Sequence, residues 1–169
     1  MKRTATAATC AAAVLLATVL TGCSGSTGDS AEEGHGPAVS SPSPTKVEQA
    51  TVATKSAGKL GTILVDEKGR TLYLFLADKE KNKSTCTGDC AKAWPPLLSK
   101  GAAKAGKGVD KKLLDITKRS GGTEQVTYNG HPLYYYAGDS KPGQTNGQDL
   151  NQFGAAWYVL NAKGKQVGS

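Results

Sequence analysis

Hydrophobic and polar residues are arranged in three ways along this chain. From Ala7 to Leu20 small apolar residues run almost without interruption. From Ser24 to about Gly58 there is no period, little apolar content, and a centre of Ser41-Pro42-Ser43-Pro44. From Leu60 onward the period becomes two, as on half-buried β-strands. Thr62 to Val65, a turn at Asp66-Glu67-Lys68-Gly69, and Arg70 to Leu76 predict a β-hairpin. A second hairpin is predicted over Glu124 to Tyr136, turning at Asn129-Gly130, a strong tight-turn dipeptide. A third is predicted from Ala156 to Leu160, turning at Asn161 to Gly164. Leu113 to Ile116 predicts one more strand, and Ala91 to Trp94 a helical turn that Pro95-Pro96 stops.

These pieces align as two copies. Leu72-Tyr73-Leu74-Phe75-Leu76-Ala77-Asp78 matches Leu133-Tyr134-Tyr135-Tyr136-Ala137-Gly138-Asp139 without a gap. Each copy continues through a polar, glycine-containing loop to a tryptophan, Trp94 and Trp157, at spacings of 21 and 23 residues from the tyrosine. A hairpin, a loop and a Trp-bearing segment cannot bury their own apolar face, but two such units packed together can. The expected fold is a mostly β, small antiparallel domain of two related hairpin-loop-Trp repeats over 59–169, with repeat 1 at about 60–98 and repeat 2 at about 122–166. A Lys/Gly/Ala-rich connector, Lys100 to Gly108, joins them. Before the domain come a signal peptide, 1–22, and a disordered linker, 23–58, whose composition is too poor in apolar residues to offset chain entropy.

The length, 169 residues, fits one folded domain. Gly is frequent, with 21 residues, against 2 Trp and 2 Phe, which argues for turn-rich β structure around a small core. The formal charge is +7. The excess lies in the domain, where basic side chains from Lys59 onward outnumber acidic ones although they are scattered in sequence. Such a balance suits solubility, or contact with anionic lipid or wall polymer. Lys2-Arg3 before the apolar run has the layout of a secretory leader. The run ends in Leu20-Thr21-Gly22-Cys23, which resembles the bacterial lipobox. That resemblance implies cleavage before Cys23, a diacylglycerol on its sulfur and acylation of the new amino terminus. The expected location is therefore the extracytoplasmic side of the cell membrane, with membrane lipid as a partner through Cys23.

The paired Tyr-x-Phe/Tyr-x-x-Asp motifs, together with Cys86-Thr87-Gly88-Asp89-Cys90-Ala91 and Trp94-Pro95-Pro96, resemble a bacterial family of "secreted repeat" lipoproteins with a Yx(F/W/Y)xxD motif. The resemblance spans nearly all of Leu60 to Gly164. It implies a secreted, β-rich protein without an assigned activity. The second copy departs from the first in having no cysteine pair.

Cys86 and Cys90 are the sharpest chemical feature. In an oxidising compartment the first reading is a short-loop disulfide that shapes the approach to Trp94. The alternatives are a labile redox pair or a soft-metal site, which would make a redox or metal/haem-handling module; haem or copper would then be the cofactor. Against a metal, two thiolates are an incomplete ligand set, and His131 is the domain's one histidine. The candidate binding residues are Tyr73, Phe75, Asp78, Trp94, His131, Tyr134, Tyr136, Asp139 and Trp157. The aromatics read either as a pseudo-symmetric core or as a flat surface for a sugar, haem or quinone. Asp78 and Asp139 read as turn-capping acceptors. No catalytic constellation, phosphate loop or dinucleotide fingerprint is present, so the expected role is non-enzymatic. No metal site or resident cofactor is expected, and nucleic acid is not an expected partner. The partner class is a cell-envelope polymer or protein.

Overall fold

A computed structural model describes residues 46–168. The leader, Cys23 and the linker as far as Thr45 lie outside the described residues. The strands are β1 (Thr51–Ser56), β2 (Thr62–Asp66), β3 (Tyr73–Phe75), β4 (Lys104–Ala105), β5 (Leu114–Lys118), β6 (Glu124–Tyr128), β7 (His131–Pro132), β8 (Asn151–Gln152) and β9 (Ala155–Val159). A short helix, α1 (Asp89–Ala93), precedes Trp94. Among the described residues the strands form three-stranded sheets in the orders β2-β1-β4, β3-β9-β8 and β5-β6-β7. Pairing is antiparallel except for β1 with β4, which run parallel because the long connector returns the chain to its starting edge.

The two copies are built alike. In each, two strands form a hairpin, β1-β2 and β5-β6, registered Thr54 to Leu64 and Ile116 to Val126. The motif strand follows, and its own hairpin partner releases it early. Leu72 donates to the Leu64 carbonyl, and Leu133 to that of Val126. The Trp-bearing segments are then exchanged. The segment after Trp157 pairs with the motif strand of the first copy, Tyr73 facing Val159 and Phe75 facing Trp157. The segment after Trp94 pairs with the second copy, Pro96 facing Tyr134 and Leu97 donating to Leu133. At the centre Tyr73 and Tyr134 exchange backbone hydrogen bonds with each other, at 2.8 and 3.0 Å. Each repeat is completed by the other.

Alternation along the motif strands splits the core in two. Leu72, Leu74 and Leu133 join Val52, Leu64 and Leu160 in an aliphatic cluster. Tyr73, Phe75 and Tyr134 join Trp94, Trp157 and the cysteines in an aromatic one. Leu76 escapes at the strand's end and is exposed.

Three expectations change. The linker was expected to run to residue 58, but β1 occupies Thr51–Ser56 and buries Val52 completely. Its sequence carries one large apolar residue, so no pattern marks it. Backbone pairing to β2 on one side and β4 on the other makes it a strand. The first hairpin was expected to extend through Leu76, but one bridge, Val65 to Thr71, closes it before β3 leaves for β9. The second repeat was expected from about 122, but its hairpin begins at β5. The Asn129-Gly130 turn forms as expected, with φ of 52° and 85° suited to a tight hairpin.

Candidate functional site

The exchanged segments bring the sequence-selected residues together at the junction of the repeats. Tyr73 Oη donates to Asp139 Oδ2 at 2.6 Å, and Tyr134 Oη donates to Asp78 Oδ2 at 2.6 Å. The tyrosine of each motif is thus held by the aspartate of the other copy. The free oxygen of each carboxylate closes its own loop seven residues on, Asp78 accepting from Thr85 N and Asp139 from Asn146 N. Both aspartates therefore cap turns, as expected, and also cross-link the repeats.

The rings follow the same pseudo-two-fold. Phe75 stacks on Trp157 (centroids 4.0 Å apart) and Trp157 on Trp94 (3.9 Å), and Tyr136 leans on Trp94, tilted by 31° at 4.4 Å. Tyr73 and Tyr134 press edge-on against Trp94 and Trp157, at 5.4 and 5.2 Å. One residue, Gln152, accepts from both indoles, through its side-chain Oε1 for Trp94 and its backbone carbonyl for Trp157. Tyr73, Phe75, Trp94, Tyr134 and Trp157 are buried, so the flat exposed surface considered for them is not there; they are the core. Burial is the main reason the Tyr73 and Tyr134 phenols ionise far above the ordinary tyrosine range. The neighbouring carboxylates add to it.

The cysteines are joined, Cys86 to Cys90, with Cα atoms 5.3 Å apart. Both are buried against the aromatic cluster. Arg119 anchors this corner, donating to the Cys86 carbonyl, to Ser84 Oγ and to Gln125 Oε1. Eight residues after its motif aspartate, the second copy has Gly147 where the first has Cys86. A Cβ there would lie 2.7 Å from Trp94 and 2.9 Å from Tyr73, so the ring edges occupy the space a side chain would need. Sulfurs joined to each other are not thiolate ligands. Among the described residues no group of three or more His, Cys, Asp or Glu side chains is placed to hold a metal ion. His131 is half-buried on β7, opposite Tyr128 in the sheet register. Burial lowers its pKa, Asp78 opposes this, and Lys81 adds to it.

Tyr136 is the one ring of the stack that reaches the surface. It lines a cavity of about 200 Å³ with Arg70, Pro95, Tyr135, Asp139 and Lys141. Arg70 is fixed there by the buried Asp66 (2.7 Å) and lies over the Tyr135 ring, 4.0 Å from its centroid. Tyr135 Oη donates to the same carboxylate at 3.1 Å. Asp66 also accepts from the Lys68 and Arg70 amides, closing its turn. Arg70, Tyr135 and Lys141 were not selected from sequence. Asp66 at the head of a turn was a legible cue for its local bonds, but nothing in the chain announces its pairing with Tyr135, far away in sequence.

Fold and site define a two-repeat β-domain closed by reciprocal strand exchange. The chain belongs to a family described as a secreted repeat of unknown function, whose model matches residues 54–98 and 115–161. Those two matches fall on the two structural copies. A secreted family places the protein outside the cytoplasm, in the envelope or beyond it. No curated protein and no solved structure matches the chain. Among the described residues no helix is long and apolar enough to cross a membrane.

Proposed function

We propose that this protein is a lipid-tethered, non-enzymatic binding module of the cell envelope. Cys23 would carry the anchor, and the cleft at Tyr136 would take an acidic sugar unit of an envelope polymer. The observation that carries the reading is the cleft's composition: Tyr135 and Tyr136 with two cations, Arg70 and Lys141, at the open end of the ring stack, while the one acid of the lining, Asp139, is engaged by Tyr73 and the Asn146 amide. An aromatic face suits the apolar side of a sugar ring, and the cations suit its carboxylate. The other polar groups selected from sequence support the fold. Among the described residues every buried side-chain nitrogen and oxygen has a hydrogen-bond partner. Arg70 is held rigid by Asp66 and Tyr135, so ordering it on binding costs little.

Two measurements test this. Cys23→Ser should move the protein from the membrane fraction to the soluble one; retention overturns the anchor. The Cys23→Ser protein should also show a saturable change in tryptophan fluorescence with uronic-acid oligosaccharides, because Tyr136 lies on Trp94. Lys141→Glu should weaken that response at least tenfold, and neutral oligosaccharides should give none. An absent response, or one unchanged by Lys141→Glu, overturns the cleft assignment.

A further inference from the structure

The basic residues, expected to be scattered, are dense in one stretch of the chain. Between Lys100 and Lys112 lie five lysines (Lys100, Lys104, Lys107, Lys111 and Lys112) and a single acid, Asp110. All five are exposed. None of them forms an ion pair among the described residues. The segment is fastened to the stretch by which the chain enters the domain. Lys100 N donates to the Glu48 carbonyl (3.2 Å), Gln49 Nε2 to that of Ala102 (2.7 Å), Lys104 N to that of Ala50 (2.8 Å) and Gly106 N to that of Val52 (2.7 Å). Thr54 N then donates to the Lys107 carbonyl at 2.9 Å. Gly106 is required for this approach: a Cβ there would come within 2.9 Å of Ala53. The parallel β1-β4 pair thus builds the lysine segment alongside the entry point.

From this placement we infer that the Lys100–Lys112 segment is a docking surface for anionic phospholipid headgroups, held beside the stretch by which the chain enters the domain. The inference rests on the tethered reading given above. Twenty-two residues separate Cys23 from Lys46, and the root-mean-square reach of a coil of that length is about 26 Å. That is several times the ~8 Å over which charges act at physiological salt. The tether alone would leave the domain floating, and the lysine segment would hold it down with the Tyr136 cleft fixed relative to the bilayer. Glu48 is occupied by Lys46 at 3.0 Å, so it does not neutralise the segment. The Asp110 carboxylate is turned to the Lys112 amide, and Glu124, nearby, accepts from Gly101 N.

The test uses the full chain carrying Cys23→Ser, which has no acyl anchor, with vesicles of phosphatidylcholine containing a third of phosphatidylglycerol. Each lysine near an anionic surface is worth about fivefold in binding. The protein should sediment with these vesicles and not with pure phosphatidylcholine, and high salt should release it. Lys104→Gln/Lys107→Gln/Lys111→Gln should weaken binding about a hundredfold. The same charge removed elsewhere, by Lys79→Gln/Lys81→Gln/Lys83→Gln, should change it less than threefold. Equal losses in the two triple variants overturn the inference, because net charge alone would then explain binding. So does binding to soluble poly(glycerol phosphate) with none to the vesicles, which would make the partner a wall polymer. An anchor failure is read separately, from fractionation of the unmodified protein against Cys23→Ser.

Discussion

Replacing Tyr134 by Phe removes one oxygen and nothing else, and the consequences follow from its surroundings. The hydroxyl is buried, donates to Asp78 Oδ2 at 2.6 Å, and sits 2.7 Å from Ser84 Oγ, which Arg119 also contacts. Asp78 is itself buried, 7% exposed, so in Tyr134→Phe its Oδ2 loses its donor. A hydrogen bond to a charged group is worth about 1.5–3 kcal/mol, and an orphaned buried acceptor adds to the loss. The expected destabilisation is about 2–3 kcal/mol. In a domain of this size that lowers Tm by about 6–12 °C. Tyr73→Phe, the pseudo-two-fold counterpart, should cost a similar amount, because Tyr73 also accepts from Gly147 N at 3.3 Å.

Together with Tyr135, whose phenol is likewise pushed up by burial and Asp66, the same groups contribute to the alkaline limit of stability. Below pH 10 both phenols are neutral whether folded or unfolded. Above pH 10 the unfolded tyrosines ionise while the buried ones, whose pKa values are raised, remain protonated. The folded state then holds more protons than the unfolded one, so stability falls with pH. The slope is about 1.4 kcal/mol per pH unit for each phenol, hence ~2.7 for the pair. Urea unfolding followed by circular dichroism between pH 9 and 11.5 measures it, and Tyr134→Phe should halve this share. A loss under 0.5 kcal/mol at pH 7 with an unchanged alkaline slope would refute the cross-repeat lock and return these tyrosines to a surface role.

Two further outcomes follow from the loops. Cys86→Ser/Cys90→Ser opens a five-residue ring, and loop closure sets the loss at about 2 kcal/mol, so Tm should fall by about 8 °C. A fall of that size with an unchanged fluorescence response in the Tyr136 cleft marks the bond as structural. Phe153, at the tip between β8 and β9, is 49% exposed and has φ of 55°, a conformation that costs a bulky L-residue about 1–2 kcal/mol. Phe153→Asn should therefore raise the urea midpoint by an amount equivalent to about 1 kcal/mol; a lower midpoint would mean the ring contributes packing that its exposure hides.

Local patterns account for much of what was legible in the chain. Alternation around Tyr73 and Tyr134 assigned the faces of both motif strands, because side-chain direction in a strand depends only on parity. Asn129-Gly130 specified its turn because few residues tolerate two successive positive φ values. The gapless match of the two motifs revealed the repeat, and the short Cys86–Cys90 spacing in an exported chain pointed to the disulfide. Each of these readings uses residues within a few positions of one another.

What tertiary structure alone decided is which copy each element serves. The motif aspartates were legible as caps, but their second bond, to the tyrosine of the other repeat, depends on the fold bringing Asp78 beside Tyr134 and Asp139 beside Tyr73. Trp94 and Trp157 were legible as equivalent, yet nothing local says that each completes the other's half and that they stack at the centre. The strand at Thr51–Ser56 had no hydrophobic signature because its stability comes from backbone pairing on both edges. The Tyr136 cleft and the lysine segment beside the chain's entry are likewise products of long-range pairing. Local sequence sets the conformational preferences of short segments, whereas burial and partner choice are set by the whole chain closing on itself, and in this protein closure takes the form of an exchange between two repeats.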